Sequence, residues 1–343
     1  MKAELAAEIG RARDDAAAAA VTHTFLSRHP DWIERYGDRA QARGVQDARH
    51  HIDFLQASVE LDDPTTFRDY ALWCRDLLQS HGISGVFLAE NLETIRDHLT
   101  GRLTPPAAEA VRLAISAALE SLAADESSPW GEDNPLSPAC LLYVAAAISG
   151  RREQALAIVR GALSDAESPV DVYVEVFESA LYEVGRRWQT TGLTIAEEHM
   201  ATATTQFILS VLQEELPRTR GRRGTAVVTG VVDENHVVGA SIVANVLDAD
   251  GWDVRFIGTN LPHDAIVSAI EQHRATLLAI SVTMSGCAAR AHDLIALVRE
   301  SSVDPPRIIV GGAAFRRDPQ LWRVVGADGF APDAHAVAEI ARG

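Results

Sequence analysis

Apolar residues fall at helical spacing through the first 124 residues. From Val45 they recur at Ala48, Ile52, Leu55 and Val59, and after Pro64 at Phe67, Tyr70, Ala71, Cys74, Leu77 and Leu78. These are single stripes of the kind an amphipathic helix buries. Asp62, Asp63 and Pro64 supply a start for the second of these helices, and His81 with Gly82 supplies a stop. A third helix carries Leu88, Leu92, Ile95 and Leu99, and a fourth begins after Pro105 and Pro106. From 137 to 216 the spacing stays helical, with stripes at Leu141, Val144, Ala145 and Ile148 and then at Ala155, Ile158 and Val159. Breaks at 149–151, 164–169 and 190–192 divide this stretch into four segments, which predicts a helical bundle. Beyond Gly224 the pattern changes. Short β-branched runs at 225–232, 253–257, 277–282 and 307–310 alternate with helix-length segments, as in a parallel sheet with helices on both faces.

Two stretches read as joints: 125–138 (DESSPWGEDNPLSP) and 217–224 (PRTRGRRG). The expected class is α plus α/β. It comprises an all-helical module over 1–128, a four-helix bundle over 137–216 and a doubly wound, Rossmann-like or flavodoxin-like parallel sheet over 224–343. A chain of 343 residues with 47% hydrophobic content can give each part a core. Its net charge of −17 disfavours holding nucleic acid or an anionic membrane surface. Cys74, Cys140 and Cys287 form no close pair, which argues against a disulfide framework or a structural zinc site and fits a reducing cytoplasm. The first 20 residues mix charges among alanines, unlike a signal peptide, and no apolar run is long enough to span a bilayer.

Ligands of doubly wound sheets bind at the carboxyl ends of the strands. Directly after the first strand comes Asp233-Glu234-Asn235-His236-Val237-Val238-Gly239, ahead of a helix expected to begin near Ala240. Glu234 is placed to accept the proton of the imidazole nitrogen of His236 that faces away from a metal, which orients the ring and raises its basicity. Gly239 lets a bulky ligand approach the helix start. Ser281 and Thr283 close the third strand, and Gly311 and Gly312 close the fourth. Taken singly, these are an accidental motif, an ordinary strand end and a tight turn; together they occupy three strand ends of one sheet.

In this order the three pieces resemble the vitamin B12-binding family over about 225–343. The resemblance implies a cobalamin bound base-off, with its cobalt ligated by His236 and its nucleotide tail between sheet and helices. It also implies that Ser281 and Thr283 line the tail pocket and that Gly311 and Gly312 make room for the displaced base.

In the preceding bundle, VGRRWQTTGLTIAEEHMAT places Trp188 at one helix end and Glu198 with His199 in the first turns of the next. This is similar to the upper-face motif of cobalamin-dependent photoreceptors, which implies adenosylcobalamin, with Trp188 packed over the adenosyl group and Glu198 and His199 lining its pocket. One position departs from that pattern. The transcription-regulating members carry a cobalt-capturing histidine after the tryptophan, and here the residue is Gln189. The other reading of these residues is a core tryptophan, a helix-starting carboxylate and a surface histidine. Methyl-carrying corrinoid proteins of methyltransferase systems share bundle and sheet and are the alternative. They usually read DxHxxGK, where this chain has Glu234 and Ala240.

The N-terminal module carries more acidic than basic residues. No winged-helix head is visible in it, so the expected output is a protein effector or a homo-oligomer, from a sensor and not an enzyme. Residues 35–78 resemble the helical module of the photocobilins, which implies a bilin, biliverdin, as second chromophore. Tyr36, Phe54, Phe67, Tyr70 and Trp73, with His50 and His51, are then candidates for a flat tetrapyrrole pocket. His51, Phe54, Tyr70 and Trp73 are the best placed of these, because His51 lies at the edge of the stripe and His50 points away. Plain core packing is the competing reading, and Cys74 reads as a buried small hydrophobe.

Overall fold

The computed structural model describes residues 2–126, 136–190, 192–213, 223–317 and 320–342. Most of both expected joints, and Thr191 at the break before Glu198, lie outside the described residues. The chain divides into two compact units, Met1–Gly131 and Glu132–Gly343.

The first unit is helical, with main helices α1 (Ala3–Ala18), α2 (Ala40–Leu61), α3 (Pro64–Ser80), α4 (Gly85–Thr100) and α5 (Pro105–Ala123). Asp63 caps α3 by accepting the Thr65 N–H, with Pro64 in the first turn. Ala48, Ile52, Leu55, Phe67, Ala71, Leu88, Leu92 and Ile95 meet in one core, so the stripes of the sequence are the buried faces. α1 runs on into a π-helical turn, Ala19–Phe25, which no residue pattern announced.

In the second unit four helical rods form the bundle. They are α6 (Pro138–Ile148), α7 (Arg152–Asp165), a rod made of Pro169–Val172, a π turn Tyr173–Glu178 and α8 (Ser179–Thr190), and α9 (Ile195–Gln213). The stripe expected on α6 is corrected by the structure. Leu141 is 46% exposed and Ala145 is exposed, whereas Cys140, Tyr143, Val144, Ala146 and Ala147 are buried. The segment PACLLYVAAAI is apolar on every side, so its own pattern could not select a face.

The sheet has strands β1 (Thr225–Gly230), β2 (Asp253–Phe256), β3 (Leu277–Ser281), β4 (Arg307–Gly311) and β5 (Gly329–Ala331), all parallel and in the order β2-β1-β3-β4-β5. Helices α10 (Val237–Ala249), α11 (His263–His273), α12 (Ala288–Ser301) and α13 (Ala334–Arg342) are the longer segments that follow the strands. The fifth strand was not read from the sequence, because three residues, Gly-Phe-Ala, are too few to show an alternation. Strand order reverses between β1 and β3, which puts a crevice at their carboxyl ends.

Bundle and sheet share one apolar core. Tyr173, Phe177, Ile208 and Leu212 of the bundle pack in the same cluster as Ile242, Val246, Leu277 and Val337. Across it, the Asn245 amide donates to Tyr173 Oη at 3.3 Å and to the Leu209 carbonyl at 3.2 Å. No helix among the described residues is long and apolar enough to cross a membrane.

Candidate functional site

The strand register brings the separate sequence pieces together. Gly230 pairs with Ser281 and Ser281 with Gly311, so the His236 loop, the Ser281–Thr283 end and the glycine pair leave adjacent strands at one level. Glu234 is the hub. Its side chain is fully buried; Oε1 accepts from His236 Nδ1–H at 2.6 Å and from the His236 backbone N–H at 2.9 Å. Oε2 accepts from the backbone N–H groups of Thr283 at 2.7 Å and Met284 at 3.3 Å. Burial opposes its charge, but the bonds from His236 and Thr283 outweigh this and lower its pKa.

Helix α10 begins at Val237, not near Ala240, and His236 is its N-cap residue. The Glu234 carboxylate, two residues upstream, takes the His236 N–H and so does part of a capping side chain's work. The rule that looks for Ser, Thr, Asp or Asn at the cap itself does not detect this arrangement. With Nδ1 engaged, Nε2 is the free ligand nitrogen of a side chain that is 52% exposed. Burial disfavours the imidazolium, but the hydrogen bond and charge of Glu234, with a further contribution from Glu198, raise the His236 pKa. One oriented imidazole suits a metal whose other positions are filled by a macrocycle.

That influence of Glu198 places its carboxylate near His236. Glu198 is partly exposed near the start of α9, its carboxylate on Thr202 Oγ1 and His199 Nδ1. Trp188, near the end of α8, is half-buried. His199 is an outer partner with its side chain 74% exposed, turned to solvent. Gln189 is buried, and its Nε2 has no hydrogen-bond partner among the described residues.

Sequence reasoning missed Asn260. Its Oδ1 accepts the Asp233 N–H at 2.9 Å, its Nδ2 donates to Asn235 Oδ1 at 3.2 Å, and it braces the His236 loop from the end of β2. Asp233 and Asn260 both adopt left-handed backbone (φ 67° and 59°), a conformation for which Asp and Asn are favoured among non-glycine residues. An Asn just past a strand's carboxyl end was the available signal.

The glycines separate into two kinds. A Cβ on Gly311 would lie 2.9 Å from the Ala331 carbonyl oxygen, and one on Gly312, at φ 97°, would lie 2.4 Å from that of Val282. Both glycines are required by the sheet itself, whatever else they admit. A Cβ on Gly239 would meet only Ser281 Oγ, at 3.4 Å. Gly239→Ala is therefore expected to keep the melting temperature within a few degrees while lowering ligand affinity; titration of the two proteins side by side tests this.

Residues 224–341 match a family model described as a B12 binding domain, and residues 142–213 match a second model of the same description. The chain carries B12-binding domains. The ligand of this half of the molecule is accordingly cobalamin, and the Glu234–His236 pair fits it. The dimethylamine corrinoid protein of Methanosarcina barkeri is 27% identical over 199 residues, 57% of this chain and 92% of that protein. The HTH-type transcriptional repressor CarH of Myxococcus xanthus is 28% identical over 148 residues, 43% of this chain and 49% of the repressor. The solved Methanosarcina barkeri monomethylamine corrinoid protein shares the fold at a TM-score of 0.52 and 20% identity, over 58% of this chain and 95% of its own.

In the N-terminal unit the four residues singled out for a bilin do meet. His51 Nδ1 lies 2.7 Å from Tyr70 Oη, Phe54 stacks on Tyr70 with centroids 3.9 Å apart, and Trp73 follows at 5.9 Å. Phe67 is fully buried beside them, and His50 is exposed. Burial pushes His51 down to about 4 and Cys74 up to about 12, so His51 is neutral and Cys74 is an inert thiol. Tyr36 belongs to a different cluster, with its ring centroid 5.1 Å from that of Trp32.

Proposed function

We propose that this chain is a B12-dependent light sensor that binds adenosylcobalamin base-off, with His236 on the cobalt. The observation that carries the reading is the placement of Glu198 within electrostatic reach of His236 from the opposite, bundle side, in the Trp188 to His199 motif. When bound, the cofactor supplies a cobalt–carbon bond that light breaks. The protein holds and reads it. Glu234 fixes the His236 tautomer, Glu198 offers carboxylate oxygens to an adenosyl group, and Trp188 shields that group from water. Loss of the group would remove the wedge between Trp188 and the corrin, and the core shared by bundle and sheet would pass the movement to an interface with a protein effector or a second copy of the chain.

The reading extends to a cytoplasmic protein that is not itself an enzyme, with biliverdin as second chromophore in the N-terminal unit. Support for the bilin is the continuous contact of His51, Phe54, Tyr70 and Trp73. In the structure described, these side chains pack on one another, so a bilin would have to part the Phe54–Tyr70 stack. The second reading, a methyl carrier, is favoured by the likeness to the dimethylamine corrinoid protein along 92% of that protein's length.

The test is the absorption spectrum of protein prepared in darkness with adenosylcobalamin and biliverdin, before and after green and red light. A cobalamin spectrum that changes under green light is the expected result, and a separate red-absorbing band establishes the bilin. A bound corrinoid that stays unchanged under illumination, and that accepts and passes on a methyl group in the dark, overturns the sensor in favour of the carrier.

A further inference from the structure

The bundle is fastened to the last helix of the sheet by two polar contacts. Glu178 Oε1 accepts the N–H of Ala334, the first residue of α13, at 3.0 Å. The next residue of α13, His335, meets the bundle rod two turns before Glu178, with its Nε2 3.1 Å from Asp171 Oδ1. The latter contact is an ion pair only while the imidazole is protonated. Asp333, which caps α13 through the Ala336 N–H, also faces Glu178 with a like charge. From the segment Ala313–Arg317, directly after the Gly311–Gly312 strand end, Arg316 faces Glu178 and stacks over Tyr182 at 4.9 Å.

The backbone marks the same place. Glu178 ends the π turn Tyr173–Glu178, and Ser179 Oγ donates back to the Val174 carbonyl at 3.0 Å. Turns of this kind inside α-helices concentrate at functional positions. We propose that the Glu178–Ala334 contact, with the Asp171–His335 contact beside it, forms a latch between bundle and sheet, whose release lets the bundle lift from the face where His236 stands. The latch rests on cobalamin binding only for its use, not for its existence.

The direction follows from proton linkage. Burial, then the charge of Asp333, raises Glu178 from 4.5 to about 7, against the Ala334 N–H and Arg316. The closed form therefore binds more protons than an open form with a solvated Glu178, and closure weakens as pH rises from about 4.5 to about 7. Between pH 6 and pH 8 the Glu178 contribution alone makes opening about tenfold more frequent.

Amide exchange on the full chain without cobalamin tests this, following peptides over 169–184 and 332–338 against β3 as reference and dividing out intrinsic rates. Opening of both peptides is expected to rise about tenfold from pH 6 to pH 8. Glu178→Gln keeps an acceptor for Ala334 without a charge and is expected to stay closed at both pH values. An equal pH response in wild type and Glu178→Gln, or none in wild type, overturns the latch. Asp333→Asn keeps the oxygen that accepts the Ala336 N–H but removes the like charge facing Glu178, and provides a second arm if the first variant does not fold: its pH response must be smaller than that of wild type, and an equal response overturns the proposal. Because no corrinoid is used, the latch and the light-sensor reading fail separately.

Discussion

His236→Ala is expected to abolish the His-on cobalamin spectrum and to weaken binding by more than the roughly 10–100-fold typical of losing an outer partner of a metal ligand. The substitution removes the ring nitrogen that His236 exposes at the strand ends. It also strips the Nδ1–H donor from a carboxylate that is fully buried. Glu234 keeps the backbone N–H groups of Thr283, Met284 and residue 236, so the fold should survive with a loss on the order of 1–3 kcal/mol. Glu234→Gln separates the two effects. It leaves Nε2 in place but replaces a charged acceptor by a neutral one, so its affinity should fall by roughly 10–100-fold. Equilibrium titration with cobalamin, with a melting curve for each variant, measures both quantities. Wild-type affinity and spectrum in His236→Ala would remove this histidine from the site.

Gly312→Ala should be the most damaging small substitution in the sheet. The new methyl group would sit 2.4 Å from the Val282 carbonyl oxygen on a backbone at φ 97°. Both the close approach and the dihedral are held by backbone, since Val282 N–H donates to the Gly311 carbonyl at 2.9 Å and Ala314 N–H to that of Val282 at 3.2 Å. No side chain can rotate away to relieve the clash. A cost on the order of 3–5 kcal/mol follows, a drop of ~10 °C or more in the melting temperature of a unit this size. The measurement is thermal unfolding of protein free of corrinoid. A melting temperature within 2–3 °C of wild type would mean that the strand ends part easily and that the glycine serves the ligand alone.

The two substitutions show how differently the site residues were legible. The placement of His236, Glu234, Ser281 and Thr283 at the strand ends could be read from the sequence because each is polar and stands at or just past the end of a β-branched run, where a doubly wound sheet leaves its crevice. The alternation of strands and helices, and the stripes of Ile52, Leu55, Leu92 and Ile95, likewise reflect local periodicities that a linear chain displays directly. Asn260 was not found because its task, bracing a loop 25 residues earlier in the chain, exists only once β1 and β2 are paired.

By itself, then, the sequence determined the class of fold, the order of its parts and the strand-end histidine with its carboxylate, since these depend on spacing and on side-chain chemistry. Tertiary structure decided what depends on neighbours distant in sequence. The uniformly apolar α6 acquired a buried face only when packed, and the three-residue β5 became a strand only beside β4. Gly311 and Gly312 were fixed by the carbonyls of adjoining backbone, and burial, then the charge of Asp333, 155 residues away in sequence, raised the pKa of Glu178. Close packing and burial set these properties, and both arise only when the chain is folded.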